Sequence, residues 1–398
     1  MYPNKQQTAM LDLTLETCRN LYNLALADRK NAWEQEGVSR SYYDQSAMLT
    51  NEKKNRYSWQ TVFAQVLQNV LRRIDRTFND FFRRTKLGEE PGYPRFKGIG
   101  RYRSFTYPQY PQSGFKFIGS KLRLSKIGSI RIFKHREIEG KIKTCTIEKD
   151  SLNNWYAILV SELEDVPKVD PVTSIGIDVG LKSLVTLSNG ESVQYPKYYV
   201  QEQDKLANAQ RSKERKKKGS KNRDKTKVKE AKIRKRITNL RDEFLHQVSR
   251  KLVDSYDIIV FENLNIQGMM KNHKLAKHIQ DHAWGKLIRF TQCKAENAGK
   301  MVELVDARYT SQRCSSCGTI VPKDLSERVH DCPNCGLKLD RDHNAALNIL
   351  TLGLKGIAGR DLTSTLDKVS EQVGLMKREA HKSRGSHFYV MPQPFGNV

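Results

Sequence analysis

The chain has 398 residues, with 70 Lys and Arg against 44 Asp and Glu, and a formal net charge of +26. That length allows two or three domains with a substantial core, and the lack of any apolar run of about 18 residues excludes a helical membrane span. Cations in such excess repel one another unless a polyanion shares their field, so nucleic acid is the expected partner; no amphipathic membrane helix accompanies the charge, which argues against a bilayer.

The opening residues, Met1-Tyr2-Pro3-Asn4-Lys5, contain no signal-peptide core. Residues 5–86 read as helices. The strongest pattern covers 58–84, where Val62, Val66, Val70, Ile74, Phe78 and Phe82 recur every fourth residue and Leu67, Leu71 and Phe81 widen the stripe. Ser58 is the expected N-cap and Gly88 the expected stop. The opposite face carries Arg72, Arg73 and Arg76, and is either solvated or turned toward phosphates. From Glu89 the texture changes. Arg95, Lys97, Arg101 and Arg103 alternate with Tyr93, Phe96, Tyr102, Phe105 and Tyr107. That interleaving suits base stacking and phosphate contact, or a loop that packs its rings on a neighbouring sheet. Residues 115–163 then alternate in strand fashion between glycine and asparagine turns, which predicts a small antiparallel barrel or sandwich. The Pro-containing stretch 165–171 is the expected domain boundary.

A short apolar strand follows, Thr173-Ser174-Ile175-Gly176-Ile177-Asp178-Val179-Gly180, with two further strand-like runs at 184–187 and 192–195. An aspartate inside a buried strand costs several kcal/mol unless it is paired, hydrogen-bonded or metal-bound. The alternative is an Asp opening a turn. Residues 211–236 hold fifteen Lys and Arg, including Arg215, Lys216, Lys217 and Lys218, against three acids. The stretch is expected to form part of a phosphate-tracking helical arm over 205–252, although such runs also occur as solvated tails or nuclear-localisation signals. Asp257-Ile258-Ile259-Val260-Phe261-Glu262 repeats the earlier pattern, a strand covered on both faces that ends in an acid. A helix over 283–298 and a strand over 301–305 come next.

The chain is organised around 310–349. Cys314-x-x-Cys317 and Cys332-x-x-Cys335 are each followed by glycine, Gly318 and Gly336, and are separated by residues 318–331. Four thiolates supplied two at a time by short turns fit a tetrahedral structural zinc, and glycine accepts the positive φ such turns need. Paired thiols of this kind in a chain of this size indicate metal in a reducing compartment; Cys18, Cys145 and Cys293 are expected to be core thiols. A last helix, 344–352, starts directly after Asp342, and 356–398 reads as a disordered tail. Asp178, Glu262 and Asp342, brought together, would suit two Mg²⁺ or Mn²⁺ ions about 3.5–4 Å apart, an arrangement that hydrolyses phosphodiesters. Asp342 could instead cap the last helix, and His343 is expected at the surface or behind the site rather than on a metal.

In Ile175-Gly-Ile-Asp178-Val-Gly180, Val260-Phe-Glu262-Asn-Leu264, Thr310-Ser-Gln-x-Cys314 and Asp340-Arg-Asp342-x-Asn344-Ala-Ala346, the chain resembles the TnpB family. These are transposon-encoded RNA-guided DNA endonucleases, long labelled transposases and similar to miniature type V CRISPR effectors. The likeness extends to Tyr2-Pro-Asn-Lys5 and Pro94-Arg-Phe-Lys97, and so covers about 1–355. It implies a multidomain α+β and α/β fold. A helical recognition lobe (5–88) would be inserted in a small β-barrel wedge (1–4 and 89–168). An RNase H-like RuvC nuclease domain (169–309 and 340–355) would be interrupted by a four-cysteine zinc knuckle (310–339). Because Met1 directly precedes Tyr2, the first wedge strand is expected to be missing. The resemblance implies Asp178, Glu262 and Asp342 as catalytic acids, with Asp342 preferred to Asp340 by its register with Asn344-Ala-Ala. It also implies a noncoding guide RNA, a target DNA, possible company of the element's own transposase, and a cytoplasmic, nucleoid-associated place in a prokaryote. A transposase that works without RNA, or a nucleic-acid-binding regulator without activity, are the competing readings.

Overall fold

The computed structural model describes residues 1–111, 114–324 and 326–358. The chain divides into two units, Met1–Glu164 and Asp165 onward. In the first, α1 (Lys5–Asn31) runs into a π-helical turn, Ala32–Glu36, and is followed by α2 (Tyr42–Lys53), α3 (Tyr57–Gln60) and α4 (Ala64–Lys86). Asn4 caps α1 and Gln7 returns the bond to the Asn4 backbone, two orphan donors satisfied reciprocally. The helix expected from Ser58 is broken. Phe63 is extended, α4 starts at Ala64, and the Ser58 carbonyl accepts from the Thr61 hydroxyl at 2.8 Å, so Ser58 caps nothing. Gly88, at φ +75°, does follow the end of α4. Val66, Val70, Ile74 and Phe78 are buried as the stripe requires, whereas Phe82 is half exposed, beyond the reach of the core.

Six strands follow: β1 (Ser104–Tyr107), β2 (Phe115–Ile118), β3 (Lys121–Leu124), β4 (Gly128–Arg131), β5 (Lys141–Lys149) and β6 (Trp155–Glu162). They form two antiparallel three-stranded sheets, β1-β5-β6 and β2-β3-β4, and among the described residues no closed barrel. The barrel expectation fails because the short β2–β4 meander pairs only within itself, apart from a single bridge of Tyr2 to Arg131. At 104–107, β1 favours the second of the two readings, rings packed on a sheet. Phe105 and Tyr107 lie in the core with Leu21, Leu67, Leu122 and Cys145, and the Tyr107 hydroxyl donates to the Ser125 carbonyl. Those two rings are packing, not a stacking platform.

The second unit opens with β7 (Ser174–Val179), β8 (Val185–Leu187) and β9 (Ser192–Val193). Next come α5 (Tyr198–Glu214) and α6 (Lys221–Ser255), then β10 (Ile258–Glu262). Then come α7 (Ile266–Met269), α8 (His273–His282), α9 (Trp284–Glu296), β11 (Met301–Val305), the ribbon β12 (Val329–Asp331) and β13 (Lys338–Asp340), and α10 (Arg341–Ala358). α10 is longer than expected, so 356–358 are helical; the rest of the expected tail lies outside the described residues. The sheet order is β11-β10-β7-β8-β9, with β7, β10 and β11 parallel and β8 and β9 antiparallel. A continuous apolar run such as Ile258–Phe261 is what a strand covered on both faces requires.

α10 lies directly on this sheet, and two glycines let it. A Cβ on Gly176 would sit 2.2 Å from the Ala346 carbonyl oxygen and 2.6 Å from the Leu350 nitrogen; one on Gly353 would sit 2.5 Å from both Val260 methyls. Cys18 and Cys145 are core thiols as expected, but Cys293 is exposed, because it falls on the outer side of α9.

Candidate active site and metal centre

Register puts two acids side by side. β7 and β10 pair in parallel with Ile177 opposite Phe261, so the next residues, Asp178 and Glu262, stand level on neighbouring strands. Strand side chains alternate faces, and Gly176 is the residue α10 covers, so Asp178, two places on, points to that same face. Asp342 sits in the first turn of α10, one turn before the Ala346 that touches Gly176. The helix therefore delivers its N-terminal acid to the strand ends carrying the other two.

The electrostatics record the meeting. Burial, then the negative charges of Glu262 and Asp342, push the Asp178 carboxyl well above the usual carboxylate range. Burial also raises Glu262, partly offset by a hydrogen bond from the Thr310 hydroxyl. Asp342 Oδ1 accepts from Arg341 Nε and Nη2, both at 3.1 Å, and Arg328 Nη1 lies 3.9 Å from Oδ2. Among the described residues, the carboxylates are not drawn as tightly together as the cysteines, whose ligand atoms all lie within 4.8 Å of one another. Arg341 and Arg328 flank Asp342. An acid set that must span two cations is wider than one wrapping a single ion. Hard, buried, mutually repelling carboxylate oxygens fit Mg²⁺ or Mn²⁺.

Asp340 has a different job. Its Oδ1 accepts from the backbone nitrogens of Asp342 at 2.9 Å and His343 at 3.2 Å, so Asp340 is the cap of α10, the role that Asp342 could have had. His343 turns away, its Nε2 3.1 Å from the Ser188 carbonyl oxygen.

The cysteines form the second centre. Cys314 pairs with Cys335, and Cys317 with Cys332, at Sγ–Sγ distances of 3.6 Å. A disulfide needs about 2.05 Å, whereas a tetrahedron with Zn–S of about 2.3 Å has edges of about 3.8 Å, so the set fits zinc. Each turn is built alike. Gly318 (φ +81°) and Gly336 (φ +70°) donate to the Cys314 and Cys332 carbonyls at 2.9 Å. Hydrogen bonds from Thr319 bring the Cys317 thiol down to about 5, while burial pushes Cys314 up to about 12.

The basic candidates divide. Arg73 is spent on packing, donating to the Ser104 carbonyl and the Thr106 hydroxyl at 2.7 Å. Lys97 is half-buried, its ammonium 5.6 Å from the Tyr22 ring centre, and Lys216 bonds the Thr226 side chain. Arg72, Arg76, Arg95, Arg101 and Arg103 are exposed on the first unit. Arg215, Lys217 and Lys218 are exposed at the turn between α5 and α6, in the arm expected to track phosphates.

Sequence reasoning assigned no role to Thr310, Arg341, Asn344 or Asn348. An Asn pair four residues apart among the apolar residues of 345–350, Asn344 fully buried and Asn348 6% exposed, was the available signal.

Family models match three stretches: a "Probable transposase" model at residues 157–273, a "Cas12f1-like, TNB domain" model at 284–349 and a "Helix-turn-helix domain" model at 1–38. A Streptomyces pristinaespiralis protein named "Putative RNA-guided DNA endonuclease" is 36% identical over 368 residues, 90% of this chain and 89% of that one. An Escherichia coli K12 protein named "Putative RNA-guided DNA endonuclease InsQ" is 32% identical over 373 residues, 88% of this chain and 90% of the relative. Among solved structures, the Cas12f1–sgRNA–target DNA complex, determined by cryo-EM, superposes with a TM-score of 0.58 at 15% identity, over 87% of this chain and 83% of that chain, which shows a shared fold. The chain belongs to the TnpB family.

Proposed function

We propose that this chain is an RNA-guided, divalent-metal-dependent DNA endonuclease that hydrolyses phosphodiesters at Asp178, Glu262 and Asp342. The observation that carries the proposal is the register: Asp178 and Glu262 level on parallel strands, facing the helix turn that carries Asp342. The strand order β11-β10-β7-β8-β9, three parallel and two antiparallel, supports an RNase H-like RuvC reading of the sheet. The two endonuclease names among the relatives support the chemistry, and the guide-RNA and target-DNA complex of the structural neighbour supports the partners.

Asp178, Glu262 and Asp342 would hold Mg²⁺ or Mn²⁺, which supply Lewis acidity and a nucleophile at neutral pH. The chain's own contribution is placement. β7 and β10 fix two carboxylates at one level, α10 brings the third, and the surrounding apolar strands keep the site's dielectric low. The knuckle cysteines would hold zinc and set the loop that precedes α10. Arg215, Lys217 and Lys218, with the exposed arginines of the first unit, would neutralise phosphates, leaving target choice to base pairing with the guide. A place on the nucleoid is proposed in keeping with the charge, and the element's own transposase is proposed as a further partner.

The test is to express the protein with its flanking element, sequence the RNA that co-purifies, and challenge a plasmid carrying the matching target. Cleavage in Mg²⁺ that Asp178→Ala abolishes is expected. Strand-transfer products from element ends without RNA would instead establish a transposase, and binding without cleavage in Mn²⁺ a regulator.

A further inference from the structure

Glu262 is 6% exposed, and one of its oxygens already has a partner inside the protein. The Thr310 hydroxyl, on a residue 4% exposed, donates to Glu262 Oε1. It has one proton to give, and the charged carboxylate is a stronger acceptor than the Ala307 carbonyl, its other neighbour at 3.1 Å. Thr310 is itself held. Its carbonyl accepts from Asn348 Nδ2 at 2.8 Å, the same nitrogen reaches the Arg313 carbonyl at 2.6 Å, and Asn344 Nδ2 reaches that carbonyl at 2.8 Å. Asn344 Oδ1 then accepts from the Ser315 nitrogen at 3.0 Å, inside the first cysteine turn.

We infer that Thr310 is the positioning residue for Glu262, and that Asn344 and Asn348 tie its setting to the cysteine knuckle. The inference rests on the nuclease reading for its meaning, but its parts are geometric. A buried carboxylate with one oxygen engaged cannot rotate freely, so the other oxygen is aimed. Asn344 and Asn348 lie one turn apart on the helix whose first turn carries Asp342, so the same helix that delivers one acid clamps the loop orienting another. Residues 310–315 are thereby fixed at both ends, by Glu262 and by the knuckle. Partners that orient a metal-binding side chain typically change metal affinity or activity by about 10–100-fold when removed.

The experiment compares Thr310→Val, which keeps the shape and loses the hydroxyl, with Thr310→Ser, which keeps the hydroxyl. Mn²⁺ affinity is measured by electron paramagnetic resonance on the protein–RNA complex without DNA, and single-turnover cleavage is measured against Mg²⁺ concentration. Thr310→Val is expected to weaken Mn²⁺ binding and raise the Mg²⁺ requirement by about tenfold or more, with zinc content unchanged. Thr310→Ser is expected to restore both to within about threefold, and Asn348→Ala to shift Mn²⁺ affinity in the same direction as the valine. Wild-type Mn²⁺ affinity in Thr310→Val, or a serine variant as impaired as the valine one, overturns the inference. If the wild type cuts no DNA, the nuclease reading fails while the Mn²⁺ titration still reports on Thr310. Should Thr310→Val not fold, the serine and Asn348→Ala arms decide.

Discussion

Replacing Gly176 with alanine should separate the assembly of the site from the chemistry of its residues. No acid changes, yet the added methyl would lie 2.2 Å from the Ala346 carbonyl oxygen, 2.6 Å from the Leu350 nitrogen and 2.7 Å from the Leu350 Cβ. Two of those three atoms are backbone, so no side chain can swing aside. Relief to a normal contact of about 3.5 Å requires α10 to move about 1 Å from β7, an overpacking that costs about 1–3 kcal/mol. In a unit of this size the melting temperature should fall by about 2–4 °C per kcal/mol. The movement carries Asp342 away from Asp178, and a misplacement of about 1 Å is worth about 100-fold in rate. The expected outcome of Gly176→Ala is a folded protein that melts slightly lower, binds RNA normally and cleaves about 100-fold more slowly in single-turnover assays. Gly180→Ala, where the nearest contact would be 3.2 Å from the Ser183 carbonyl oxygen, is the milder control. Cleavage by Gly176→Ala within about threefold of wild type would refute the idea that this helix–strand contact sets the third acid.

Other perturbations have equally definite outcomes. Cys332→Ser should lower zinc content measured by atomic absorption and, because the Cys314 loop continues into Thr310, reduce cleavage along with it; zinc loss with full activity would contradict the structural role of the knuckle. The Asp178 carboxyl titrates higher in the folded, metal-free protein than in the unfolded chain, so the folded state holds more protons and stability is lost as pH rises above about 4. Thermal melts without divalent cations should therefore fall less steeply with pH for Asp178→Asn than for wild type; parallel curves would show that burial and the neighbouring acids do not raise Asp178 on folding. Joint replacement of Arg215, Lys217 and Lys218 by alanine should reduce the slope of log affinity for duplex DNA against log salt by about 2–3 if all three meet phosphate, and by nothing if the turn is merely solvated.

Much of the second unit was legible because its signals are local. Two apolar runs, one carrying an acid and one ending in an acid, and two Cys-x-x-Cys-Gly turns, signal their chemistry within a few residues. What stayed hidden depends on neighbours distant in sequence. The Thr310–Glu262 bond spans 48 residues, and nothing in either motif announces the other. Arg73 looked like one more surface cation until β1 supplied acceptors 31 and 33 residues away. The strands of 115–163 alternate as a barrel's would, but alternation fixes the faces of strands and not which edges meet, so two separate sheets were as compatible with the pattern. The break at 61–63 escaped because Val62 stays buried and keeps the stripe unbroken while Phe63 turns extended. Asp340 and Asp342 are both acids at one helix start; only the hydrogen bonds from the helix nitrogens show which is the cap.

If Asp178, Glu262 and Asp342 act as one unit, the rates of their alanine variants will converge. Single-turnover cleavage of a matched target in Mg²⁺ should fall, for each single replacement, to the level of the triple one, because groups that work together are lost together. A single variant that retains cleavage within about tenfold of wild type would remove that residue from the site and show that the three acids do not work together.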